Sequence, residues 1–174
     1  MKKVLQFSGI ISLALAAVAF ILMMATPAIL YVDGSATYSF GGSLAIFGGS
    51  LDLNQKAILL TTGDAKLAVL GLLAWIFILV GLLIVLAGVI LPLLKVNALE
   101  KFAGILNLVA LVLFVVGGIF MFCVVPNFFG ANGFNDVPSK AGIGAGWVIG
   151  GILAIAAGAF AILPAASAFL GKKK

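Results

Sequence analysis

Four stretches of this chain carry no Asp, Glu or Lys: Ser8 to Val32, Leu67 to Leu94, Phe102 to Val125 and Ala141 to Gly171. Each exceeds the roughly 20 apolar residues with which a helix crosses about 30 Å of hydrocarbon. In lipid the backbone must satisfy its own hydrogen bonds, so the four are expected to be helices. Composition points the same way. The chain is 64% hydrophobic and 9% charged, against about 45–50% and 25% in globular domains, and its mean hydropathy is +1.36. So few charges cannot cover a soluble surface. The expected fold is an all-α integral membrane protein. It is a four-transmembrane-helix antiparallel bundle with a small extracellular antiparallel β-meander in its first outer loop, and residues 1–174 form one membrane domain.

Lysines set the expected orientation. Lys2, Lys3, Lys95, Lys101, Lys172, Lys173 and Lys174 fall on one side, and Lys56, Lys66 and Lys140 on the other. The lysine-rich side is expected to be cytoplasmic, with both termini inside a plasma membrane crossed several times. Residues 33–66 and 126–140 are then outer loops. The inner connection 95–101 is so short that its flanking helices are expected to be antiparallel neighbours. Met1-Lys2-Lys3 before an apolar run also resembles a signal peptide. That run, of about 24 residues, is long for a signal h-region, and Pro27 spoils a cleavage site, so a retained first helix is expected.

Charge scarcity also limits chemistry. The chain has no His and a single Cys, Cys123, so a disulfide within the chain, a Cys/His zinc site and a paired-thiol redox centre are excluded. No ionisable carboxylate or amine is expected at membrane depth, where proton relays and ion sites need one. Asn107 reads as an interhelical hydrogen-bonding residue, and Cys123 as a small packing residue with no base to activate it. Asp52 and Asp64 have no metal-ligand spacing. We expect no enzyme activity, no cofactor, no metal and no nucleic-acid partner.

Two internal regularities stand out. Trp75 and Trp147 each lie 17 residues before the Pro of an Ile-Leu-Pro, at Pro92 and Pro164. The second and fourth spans therefore align at an offset of 72, as in a duplicated hairpin or by chance. The fourth span also carries small residues at i+4 spacing, Gly142, Gly146, Gly150, Ala154 and Gly158, and the first carries Ser8, Ser12 and Ala16. Such stripes let helix backbones approach closely in lipid, either inside one bundle or between copies.

The first outer loop says most. The motif FGGSL occurs at Phe40–Leu44 and again at Phe47–Leu51. Gly-Gly pairs suit two-residue hairpin turns. They predict strands near Ala36–Phe40, Ser43–Phe47, Ser50–Leu53 and Ala57–Thr62, with Phe40 opposite Ser43 and Tyr38 opposite Ala45. Tyr38, Phe40, Ala45 and Phe47 would share one face, and Leu44, Ile46, Leu51 and Leu53 the other. The second outer loop adds Phe128, Phe129, Phe134 and a turn at Asn132-Gly133. Tyr38, Phe40, Leu44, Ile46, Phe47, Leu51, Phe128, Phe129 and Phe134 are the nine candidate interaction residues, as a lid over the bundle or as a surface for a partner.

Four spans, internal termini, a longer β-rich first outer loop and a short second one resemble the layout of claudin-type tetraspan proteins. The first loop has no Trp and no Cys, so no functional residue is carried over. The resemblance implies a structural or adhesive class. The expected role is a non-enzymatic structural or interaction protein. It would assemble laterally in the bilayer, as a homo-oligomer or with a membrane-protein partner, and present its outer loop. The alternative is a pore-forming or accessory subunit of a transport complex.

Overall fold

A computed structural model describes residues 2–93 and 103–170. The inner connection 95–101 and the terminal Lys172, Lys173 and Lys174 lie outside the described residues. Four long helices dominate: α1 (Lys2–Ala25), α4 (Val69–Leu93), α5 (Ala103–Phe122) and α7 (Ala145–Leu170). All four are long and apolar enough to cross a membrane. Each presents large aliphatic side chains outward, among them Ile21, Leu83, Val112 and Ile152. Inward-facing positions mix small residues, such as Ala16, Ala19, Ala74, Ala110 and Ala154, with fillers such as Ile78, Phe114 and Met121.

The long helices pack side by side, most heavily as α5–α7, then α1–α7, α4–α5 and, least, α1–α4. Ser12 Oγ donates to Ala157 O at 2.8 Å, joining α1 to α7. At the α5–α7 crossing a Cβ on Gly118 would stand 2.7 Å from Gly151 O, and one on Gly151 would stand 3.1 Å from Gly118 O. The two backbones approach because neither residue has a side chain. The α4–α5 contact is aromatic, with Phe77 and Phe120 at 5.8 Å between ring centroids.

The remaining elements cover one end of the four helices. They are β1 (Pro27–Asp33), β2 (Ala36–Gly41), α2 (Gly42–Phe47), α3 (Leu53–Ile58), α6 (Val124–Ala131) and β3 (Ala141–Ile143). The sheet is antiparallel, in the order β2-β1-β3. It departs from the expected meander. The central strand β1 comes from the end of the first uncharged stretch, because Pro27 disfavours helix in the residue before it, and Ile29, Tyr31 and Val32 suit a strand. The third strand comes from the start of the fourth stretch. Tyr38 pairs with Tyr31 and Phe40 with Ile29, not with Ala45 and Ser43.

The first Gly-Gly pair begins a helix rather than making a hairpin. Gly42, Ala45 and Ile46 are buried, a helical spacing, so packing makes α2 of the expected second strand Ser43–Phe47. A Cβ on Gly42 would fall onto the Met23 carbonyl oxygen. Gly42 N–H donates to Thr26 O at 3.0 Å. The expected third strand, Ser50–Leu53, contains no strand; its neighbour Gly49 makes only an isolated bridge with Ala65. The expected fourth, Ala57–Thr62, instead begins within α3. There Asp52 and Gln55 form a capping box, which satisfies two backbone donors and starts a helix.

Candidate functional site

The cap is held together by an aromatic knot drawn from both loop regions. Phe40 of β2 meets Phe128 of α6 at 5.3 Å and Phe129 at 6.4 Å. Phe129 meets Phe134 edge-on at 5.3 Å. Phe40, Phe128 and Phe129 are fully buried, as is Ile46, and Leu51 is nearly so. Phe134 and Leu44 are partly buried against the same core, and Tyr38 is half-buried. Phe47, 49% exposed, alone of the nine candidates turns largely outward.

Two asparagines clamp the cap to α4. Leu70 N–H, at the start of α4, donates to Asn127 Oδ1 at 2.8 Å. Lys66 N–H donates to Asn132 Oδ1 at 2.8 Å, while Asn132 Nδ2 donates to Lys66 O at 3.2 Å and to Phe128 O at 2.8 Å. Asn132 thus pairs with Lys66 as a strand backbone would. In the sequence Asn132 reads only as a turn residue and Asn127 carries no motif; polar amides beside Phe128 and Phe129 are the one available signal. At the opposite corner Lys140 and Asp33 form a salt bridge. The hydrogen bond to Asp33 and its negative charge raise the Lys140 pKa above its ordinary value.

The small-residue stripe divides. Gly142 lies in β3 and is exposed. A Cβ on Gly146 would collide with the Thr26 side chain, one on Gly150 would stand 2.8 Å from Met121 Cε, and one on Gly158 would stand 3.1 Å from Leu111 O. Ala154 is buried. Gly146, Gly150, Ala154 and Gly158 therefore pack within the chain. Gly144, next to the stripe, sits on the Pro27 carbonyl.

The two tryptophans occupy unlike settings. Trp147 is fully buried, and its Nε1–H donates to Met23 O at 3.0 Å. Trp75 lies beside Phe20 of α1 at 6.0 Å and edge-on to Phe47 of α2 at 5.4 Å. Its Nε1 is buried without a hydrogen-bond partner among the described residues.

Away from the knot, α3 and the turn after it expose apolar side chains. Leu53 and Leu60 are each 86% exposed, and Ala57 between them is also exposed. Leu60 N–H donates to Ala57 O, and Thr61 N–H to Lys56 O. This is a Schellman ending, whose left-handed position usually holds Gly. Here it holds Leu60, at φ 49°. A left-handed backbone costs a non-Gly residue about 1–2 kcal/mol, and this side chain recovers nothing by burial.

Among the described residues no group of three or more His, Cys, Asp or Glu side chains converges to hold a metal ion. No protein-family model matches the chain, and no curated protein matches it at a significant level.

Proposed function

We propose that this chain is a multi-pass membrane protein of claudin-like tetraspan layout, an antiparallel four-helix bundle in a plasma membrane with both termini cytoplasmic. Helix contacts support the antiparallel arrangement: Met23, near the end of α1, meets Trp147, near the start of α7, while Ser12 meets Ala157. Outward aliphatic side chains on all four helices support insertion, since lipid is the solvent that accepts them. The lysine distribution supports the orientation.

Its role is that of a non-enzymatic structural or interaction protein, which assembles laterally and offers its cap to a second copy or a membrane partner. The observation that carries this reading is the exposure of Leu53, Ala57 and Leu60. Two fully displayed leucines, one on a strained backbone, add nothing to the fold, and such outliers accompany binding surfaces. The filled interior, with Phe114, Ile78 and Met121 between the helices, favours this role over a solute route through one copy.

Cross-linking in native membranes tests the reading. Wild-type protein gives a defined cross-linked species, and the double substitution Leu53→Asp, Leu60→Gly removes it while leaving membrane integration intact. A strictly monomeric wild-type chain with no cross-linked neighbour overturns the role.

A further inference from the structure

The seam between α1 and α4 is the least contacted of the four long-helix seams. The cap helix α2 contacts both helices there. Phe47 leaves α2 half-exposed and lies edge-on against Trp75. Phe20 of α1 also stands beside the indole, at 6.0 Å between ring centroids. A buried N–H without an acceptor is costly, more so where no water competes, and it requires an explanation. The matched Trp147 has its acceptor in Met23 O, so an unpaired indole is not forced by the residue type.

We propose that the seam beside Trp75 is a lipid site, in which the indole Nε1–H donates to an acyl-ester carbonyl of a diacyl phospholipid. The inference rests on the membrane reading above. Level and chemistry both point to this occupant. Trp75 lies six residues into α4, about 9 Å along the axis, and helical side chains lean back toward the N-terminus. Contact with Phe47 confirms that the ring reaches the junction of cap and bundle. Ester carbonyls occupy the boundary between headgroup and hydrocarbon, and amphipathic indoles prefer that boundary. The ring neighbours Phe20 and Phe47 are apolar, so an acyl chain is accepted along the seam while the carbonyl meets the N–H. The N–H is shielded as it stands. Entry therefore requires a neighbouring side chain to turn aside, and half-exposed Phe47, in edge contact with the indole, has room to do so.

Diester and diether phosphatidylcholines test the site, because they share headgroup and chains and differ in the carbonyls. Purified full-length protein is exchanged into each lipid, and retained lipids are counted by native mass spectrometry. Wild type retains one more diester than diether molecule, and Trp75→Phe retains equal numbers. Equal retention by wild type, or an ester preference that survives Trp75→Phe, overturns the site. A second readout needs no change at Trp75. In Trp147→Phe protein, the sole tryptophan emission differs between diester and diether lipid; identical spectra overturn the proposal. Alkaline extraction from the same liposomes separates the failures. Protein released by alkali overturns the membrane reading, whereas protein that stays integrated without ester preference overturns the lipid site alone.

Discussion

The α1–α7 and α1–α4 seams share one helix and differ in almost everything else. Along α1–α7 a small-residue row, a buried hydroxyl donating to Ala157 O, and the Trp147 indole donating to Met23 O close the contact without charge. Along α1–α4 the contacts are fewer. A Cβ on Gly9 would meet Val89 Cγ2 at an ordinary 3.4 Å, and a tryptophan stands with its donor unused. The contrast separates two ways of using the same residue. One tryptophan completes the packing of its own chain. The other is held ready for something the chain does not supply.

Unequal truncation costs are the largest expected sign of that difference. Trp147→Ala removes a fully buried ring and leaves Met23 O without its indole donor, and is expected to lower unfolding stability by about 3–5 kcal/mol. Trp75→Ala, whose ring is part-exposed, should lose about 1–2 kcal/mol on the same scale. Unfolding in mixed micelles compares the two, and equal losses break the distinction. Next come the glycines. Gly150→Val overfills the space beside Met121 and Ala19 and is expected to cost about 1–3 kcal/mol. Gly9→Ala meets only Val89 Cγ2 at 3.4 Å and gains helix propensity, so it should be neutral or stabilising by under about 1 kcal/mol. Matched thermal melts read the sign, and a destabilising Gly9→Ala would mean the α1–α4 seam is tightly closed.

Ser12→Ala tests the polar contact of the tighter seam. Hydrogen bonds between membrane helices average about 0.6 kcal/mol, and a loss of that order is expected in the same unfolding assay. The smallest effect belongs to the cap. The pKa of Lys140 is raised above 10.5 by Asp33. Its stabilising contribution is fully present below that value and declines as pH rises through the raised one. The pair is exposed, so the effect is slight. Asp33→Asn should flatten this alkaline limb in a stability profile. Among the described residues the two seams contain no charged pair, so Ser12→Ala and Gly9→Ala should leave the alkaline limb unchanged.

The four long apolar helices were legible because a charge-free run longer than twenty residues has few other uses. Their ends were not. Pro27–Val32 and Ala141–Ile143 are as apolar as the helices beside them, and only Pro27 marks a change to strand. The sheet was legible as β-type composition, but its partners were not, since β1 and β3 lay inside stretches read as helix. The Gly-Gly pairs misled for a physical reason. Glycine serves tight turns and close approaches alike, and Gly42 serves the second by lying on the Met23 carbonyl. Of the candidate site, Phe40, Phe128 and Phe129 were found as a group but lie inside the cap. Leu53 and Leu60 were invisible as a pair because their display depends on where α3 ends.

The sheet order β2-β1-β3 has a consequence for biogenesis. A chain made from its N-terminus has α1, β1 and β2 long before β3 exists. Until residues 141–143 emerge, one edge of β1 stays unpaired and Gly144 cannot dock on Pro27. The sheet therefore closes only after α5 and α6 have been made, as the chain reaches the start of the last long helix. An epitope formed only by the paired strands would mark chains that extend past residue 143, while shorter nascent or truncated chains would present an open strand edge for quality-control factors to seize.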